Sequence, residues 1–414
     1  MSSHPRAAVR AAEVLRAFLK LGLTSFGGPV AHIGYFREEF VVRRRWLDDA
    51  AFSDLVGLCQ FLPGPASSQL GFSIGLMRAG FLGGLAAWTG FTLPSALALT
   101  LLAFGADPAL QESSVFASVA VGLVHGLKLV AVAIVAQAVW GMARTLCPDR
   151  QRAAIAITAA VAMSARGSSM TQLAVLIGGG LLGIWFCRTP APAQIPPASA
   201  AAPASSFAAP VSRAVGTTSL VVFALLLIGL PLLRGWHAAA LFDAFYRSGA
   251  LVFGGGHVVL PLLREAFVAS GWVDDDVFLA GYGAAQAVPG PLFSFASYLG
   301  AVASPASHRA AGALLGLAGI FLPGMLVLVG AFPFWDQFRV RAGAQAFMRG
   351  VNAAVVGLLG AALYHPIWTS SIKTVADIGL ALAGFVLLTA WRAPPVLIVA
   401  LGAAAGVVLT KLYA

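Results

Sequence analysis

The feature that most restricts this chain is a series of apolar runs too long and too unbroken for a small soluble domain. They lie at 80–104, 115–139, 173–186, 217–233, 310–332, 375–391 and 396–412. About 20 apolar residues in helical form cross the hydrocarbon core of a bilayer. Inside lipid every backbone polar group needs a partner within the protein, so only helices or closed barrels span it. The runs are continuous rather than alternating, which selects helices. Charged residues make up 10% of the 414, against about 25% in soluble proteins. The expected fold is therefore an all-α polytopic membrane protein, with the lipid bilayer as its first partner. The N-terminus lacks a short apolar core followed by a small-residue cleavage site, so no removable signal peptide is expected.

The formal net charge is +10, yet Lys and Arg fall between the apolar runs rather than in a basic stripe. That placement argues for membrane topology and against a nucleic-acid partner. Cys59, Cys147 and Cys187 stand singly, without CxxC or HExxH spacing. Neither a metal site, nor a disulfide framework, nor a cofactor, nor an enzyme is expected.

The chain repeats itself. Residues 18–65 return at 245–291, at a spacing of 227 residues and then of 226. The identities include Gly22/Gly249, Phe26/Phe253, Arg37/Arg264, Trp46/Trp272, Gln60/Gln286 and all of Pro63-Gly64-Pro65 against Pro289-Gly290-Pro291. Further on, GFTLP ending at Pro94 faces GIFLP ending at Pro323, and Lys128 faces Asn352. Two homologous halves follow, 1–187 and 214–414, joined by an Ala/Pro/Ser-rich linker at 188–213 whose prolines forbid a regular helix. The second half carries an additional leading run, 217–233, which would invert it relative to the first. The loop after Phe36 holds Arg37, Arg43, Arg44 and Arg45, whereas its counterpart holds Arg264 alone. By the positive-inside rule the first loop faces the cytoplasm and the second the opposite side. The expected architecture is a pair of inverted-topology repeats with broken or re-entrant helices, N-terminus cytoplasmic and C-terminus periplasmic. A homodimer is one state such a chain could take.

The matched elements are helix breakers. Proline lacks an N–H and disfavours helix at the residue before it, so a helix should end near Leu62 and another start at Pro65. The amides that follow, with Ser67 and Ser68, are then orphan donors at a helix N-terminus, where oxyanions bind. Ser294 repeats this beside Pro291. Gly27-Gly28 and Gly254-Gly255 permit a second pair of breaks. Segments 11–26 and 29–42 are each short; Arg6, Arg10 and Arg16 stand at the start of the first and Arg43, Arg44 and Arg45 follow the second, which predicts a re-entrant hairpin with the glycines at its tip. Residues 52–77 form either a second hairpin or a broken span. With these alternatives the chain makes about nine to 13 full spans.

Polar residues inside apolar segments are costly and mark candidate sites. Gln60 and Gln286 precede each Pro-Gly-Pro. Lys128 needs an anion, a carboxylate or water; Asn352 and His257 complete the substrate-binding set. The alternatives are ordinary ones: helix–helix hydrogen bonds for the glutamines, a backbone partner for the histidine. Arg37–Glu38 and Arg264–Glu265 are either interfacial salt bridges or part of a gate and proton relay. Donors with few buried carboxylates suit a tetrahedral oxyanion, and inverted repeats suit a secondary transporter.

The same motifs resemble the chromate ion transporter family in its long, two-domain form. The carrying stretches are FGGPVAHIGYFREEFV and RRRWL after Phe26, FLPGPASSQL from Phe61, FGGGHVVLPLL from Phe253 and AVPGPLFSFASYLG from Ala287. The resemblance implies a transporter of the bacterial inner membrane that exports chromate in exchange for protons and confers chromate resistance. Sulfate, a similar dianion, is the alternative substrate, by uptake or exchange. The second half has Gly256 where the first has Pro29, so the two tips are unequal.

Overall fold

The computed structural model describes residues 7–25, 28–105, 114–165, 169–188, 211–233, 235–253, 258–338 and 341–413. Within them the chain is helical, and its helices stop where the breakers stand. The first half opens with α1 (Ala7–Thr24) and α2 (Gly28–Arg37), which widens into a π-helical stretch over Glu38–Arg43. In α3 (Asp49–Phe61) the Asp48 carboxylate caps the start by accepting from the Ala51 N–H. It ends where Leu62 turns extended ahead of Pro63 (φ −85°, ψ 154°). α4 (Ala66–Gly105) is two helices joined at Ala79 and Gly80, the latter at φ +65°. α5 (Ser114–Leu146), α6 (Arg150–Ala165) and α7 (Ser169–Phe186) close the half.

The unmatched run is α8 (Arg213–Gly229), capped by Ser212 and extended by a 3-10 turn to Leu233. Then the pattern returns as α9 (His237–Ala250), α10 (Val259–Phe267), α11 (Asp275–Ala285), α12 (Phe295–Val302) and α13 (Arg309–Ala331). After the short α14 (Trp335–Phe338) come α15 (Ala342–Ala362), the three-residue α16 (Thr369–Ser371), α17 (Val375–Thr389) and α18 (Pro395–Tyr413). Among the described residues five helices are long and apolar enough to cross a membrane: Ala66–Gly105, Val121–Arg144, Arg213–Leu233, Ala306–Phe334 and Ala342–His365. Shorter apolar stretches of 10–17 residues lie at Ala174–Phe186, Leu292–Val302, Val375–Thr389 and Leu397–Leu409.

In each half the first two helices double back. Phe18 stacks on Phe40 at 4.7 Å, and their counterparts Phe245 and Phe267 meet at 4.5 Å. Glu13 reaches Arg44 and Lys20 reaches Glu39, so α1 and α2 run antiparallel with the glycine tip between them. Trp46 and Trp272 lean on Phe40 and Phe267 and close the open ends. The recurrent arginines choose partners other than the adjacent glutamates: Arg37 pairs with Asp49 and Arg264 with Asp275, both at 2.8 Å. Each pair ties the hairpin to the first turn of the next helix. Glu39, at the basic end of the first hairpin, is buried; burial opposes its ionisation, but hydrogen bonds from Arg44 and Lys20 hold its carboxyl below the usual range.

The closing pairs are exchanged between halves. α6 and α7 pack on α15, whereas α17 and α18 pack on α5. Glycines allow backbone contact at both places. Gly122 and Gly126 lie against Gly406 and Gly402, while Gly179 and Gly183 lie against Gly350. These are small-xxx-small crossings, the usual means of close helix approach in lipid, where no hydrophobic force drives association. Each half thus completes the other.

Candidate functional site

Each Pro-Gly-Pro turn is bound to the other half by one backbone hydrogen bond. The Gly64 N–H donates to the Val252 carbonyl at 2.7 Å, and the Gly290 N–H to the Ser25 carbonyl at 2.9 Å. Ser25 and Val252 are themselves counterparts, each standing just before its Phe-Gly-Gly. Gly64 and Gly290 adopt φ +119° and +105°, a region open to glycine and strained for other residues. A Cβ on Gly64 would lie 2.9 Å from Gly324 Cα, and one on Gly290 would lie 2.9 Å from Ser95 Oγ. Gly324 and Ser95 follow the matched Pro323 and Pro94. Three motifs of each half therefore interlock with the same three of the other, about a pseudo-two-fold. Gly28, at φ +77°, opens α2. Gly27, Gly254, Gly255 and His257 lie outside the described residues.

The first break leaves the opening amides of α4 ahead of its helical ladder. The first α-helical hydrogen bond of α4 runs from Gln69 N to Pro65 O. Pro65 is thus the cap rather than the first helical residue, and the amides of Ala66, Ser67 and Ser68 lie ahead of the ladder. The Ser67 hydroxyl lies 3.4 Å from His32 Nδ1, and the His32 ring stands edge-on to Phe91. Four buried polar atoms here have no hydrogen-bond partner: Ser68 Oγ, Ser25 Oγ, Thr92 Oγ1 and His32 Nε2. Gln69 acts as a clamp, its Nε2 donating to the Pro63 carbonyl (2.9 Å) and across the halves to the Gly324 carbonyl (2.8 Å).

The second break is built differently. Ser294 bonds Ser95 across the halves (Oγ–Oγ 2.7 Å), and the Ser297 hydroxyl donates to the Ala96 carbonyl. Its serines knit the halves together rather than standing free. Gln286 ends α11 with Nε2 buried and unpartnered, while its side chain hydrogen-bonds Tyr282. Gln60 is exposed at the end of α3 and is not brought into the junction. Lys128 is buried on α5, with Nζ 2.6 Å from Asp276 Oδ1; its counterpart Asn352 keeps an unpartnered Oδ1. Pro63, Pro289 and Pro291 flank the two turns as expected.

Sequence reasoning thus located both breaks but missed His32, Gln69, Ser95 and Thr92. The signal was there: each is a polar residue in an apolar stretch within a helical turn or two of a breaker. Chemically the junction offers hydroxyl and amide donors, and among the described residues no carboxylate is hydrogen-bonded to His32, Ser67, Ser68, Gln69, Ser95 or Thr92. Among the described residues no group of three His, Cys, Asp or Glu could hold a metal ion.

The comparisons with known proteins agree with this duplicated plan. The family model described as Chromate transporter matches residues 12–184 and again residues 239–407, once on each half. The chain is 29% identical over 388 residues to the Chromate transport protein of Pseudomonas aeruginosa, covering 92% of this chain and 87% of that one. It is 27% identical over 381 residues to the Chromate transport protein of Cupriavidus metallidurans, covering 90% and 86%. It is 26% identical over 417 residues to the Probable chromate transport protein of Synechococcus elongatus, covering 98% and 96%. No solved structure matches the chain. With both halves matched and the breaks interlocked as the repeat requires, this multi-pass membrane protein belongs to the chromate transporter family.

Proposed function

We propose that the protein carries chromate out of the cell across the inner membrane, in exchange for protons, and so gives resistance to chromate. One observation carries the proposal: buried, unpartnered donors gather where broken helices of the two halves meet. A buried hydroxyl or amide without a partner costs about 1–3 kcal/mol, so a polar guest with several acceptor oxygens relieves several costs at once. A tetrahedral dianion fits. Its oxygens would take the Ser67 and Ser68 amides at the positive end of α4, the Ser68 hydroxyl and the Gln286 amide. Direction follows from charge. An inside-negative potential favours exit of a dianion by roughly 4–5 kcal/mol per 100 mV.

Opposed orientation of the halves would let one junction open to either side in turn. The contact of Trp88 in α4 with Phe321 in α13 supports that orientation. The counterpart of Trp88 is Leu317, one turn before Phe321, as antiparallel crossing of matched helices requires. The arginines at positions 37 and 43–45 support a cytoplasmic first loop.

Transport into everted vesicles tests the proposal. Chromate should accumulate, sulfate should compete, and collapse of the proton gradient should slow uptake. Lys128→Ala and Gln286→Ala are each expected to lower chromate transport at least tenfold, about 1.4 kcal/mol, at normal membrane levels. Wild-type rates in both variants would remove these residues from the site; no accumulation of either anion by the parent protein would end the transport reading.

A further inference from the structure

Lys128 is an unusual cation. It lies in the apolar middle of α5, and its side chain is 10% exposed. An ammonium carries three donors, yet among the described residues Nζ has one partner, Asp276. No protein group among the described residues takes its other two N–H groups. The partner is just as unusual. Asp276 is 68% exposed and has no other tie among the described residues. Its neighbour Asp275 is clamped by Arg264, and Asp377, which faces His125 on the same helix, also accepts from the Lys373 and Thr374 N–H groups. A loosely held carboxylate thus reaches in from the open side to an unsaturated cation.

The pair also lies on a line toward the junction. Leu127, adjacent to Lys128, presents its carbonyl to Gly283, one turn of α11 before Gln286. Asp276 is in the first turn of that helix. The ten residues from Asp276 to Gln286 span about 15 Å of helix, from an exposed end to the second break.

We propose that Asp276 is a built-in stand-in for the transported oxyanion. Its carboxylate occupies Lys128 while the route is empty, and an entering tetrahedral dianion takes its place. The dianion brings twice the charge and more acceptor oxygens than the carboxylate it replaces. Asp276 is then released toward solvent, and it re-pairs with Lys128 once the anion has moved on to the Gln286 end. No second cation is needed to reset the site. This rests on the transport reading above.

Competition gives the test. In everted vesicles Asp276→Asn should lower the KM for chromate roughly fivefold, as loss of a competing ion pair of about 1 kcal/mol allows, while Asp276→Glu should behave as wild type. An unchanged or raised KM for Asp276→Asn, at normal membrane levels, overturns the proposal and leaves the transport reading intact. Failure of the wild-type protein to move chromate or sulfate counts against that reading instead. A measurement on the unaltered protein in detergent covers the case in which the variant does not insert. Molybdate should speed carbodiimide modification of Asp276 severalfold over chloride at equal ionic strength. Equal rates in the two salts overturn the proposal.

Discussion

Alanine in place of Gly64 should abolish transport and cost the folded protein about 2–4 kcal/mol, the sum of a backbone held where non-glycine residues are strained and an overpacked contact. The backbone stands at φ +119°, and the new methyl would press on Gly324 Cα of the other half and on the Gln69 amide. That amide is the clamp that joins the first break to the second half. The change therefore strikes the junction twice, through the turn itself and through its brace. Gly290→Ala should behave alike, since φ is +105° and the methyl would meet Ser95 Oγ and the Phe91 carbonyl. Gly343→Ala is the control: it is helical, with no atom near the added methyl, and should match the parent protein. Thermal unfolding in detergent, read with vesicle transport, separates the outcomes. A Gly64→Ala protein with wild-type melting and transport would show that the turn does not need glycine.

Leucine at Gly350 should be more damaging still, at about 3 kcal/mol or more from overpacking. Here two backbones touch: a side chain on Gly350 of α15 would run into the Gly179 carbonyl and into Gly183 of α7. Because α6 and α7 pack on the second half's α15, separating them undoes the exchange between halves rather than a local contact. Gly126→Leu, facing Gly402 and Ala403, should do the same at the matched crossing of α5 and α18. Gly360→Leu lies in the same helix as Gly350 with nothing within reach of its Cβ, and should be tolerated. Monodispersity after extraction reads the effect. Equal behaviour of the Gly350 and Gly360 variants would contradict the exchanged arrangement.

The repeat and its breaks were legible because they depend on local chemistry. Pro63 ends α3 for reasons contained in Leu62 and Pro63 alone, and the hairpin of α1 and α2 follows from short segments with basic ends. Which polar residue faces which was not legible. Gln60 and Gln286 occupy identical positions in their motifs, yet one is exposed and the other half-buried with its Nε2 enclosed, because their surroundings come from parts of the halves that have diverged. Lys128 announced a need for a counter-charge, but Asp276 lies 148 residues away and only the fold brings it near. The partners of Arg37 and Arg264 followed the same rule: the adjacent glutamates looked sufficient, and the loop geometry chose Asp49 and Asp275 instead. The exchange of closing helix pairs has no local signature, since small-xxx-small motifs state that a helix is approached closely without naming the neighbour.

The central claim is that matched helix breaks from two halves form one oxyanion site. Locating chromate or selenate bound to the protein, by anomalous scattering or in a cryo-EM map, tests it most directly. The account predicts a tetrahedral density within hydrogen-bond reach of the Ser67 and Ser68 amides and the Gln286 side chain. Density confined to the exposed arginines of the loops, with the junction empty at saturating anion, would contradict it.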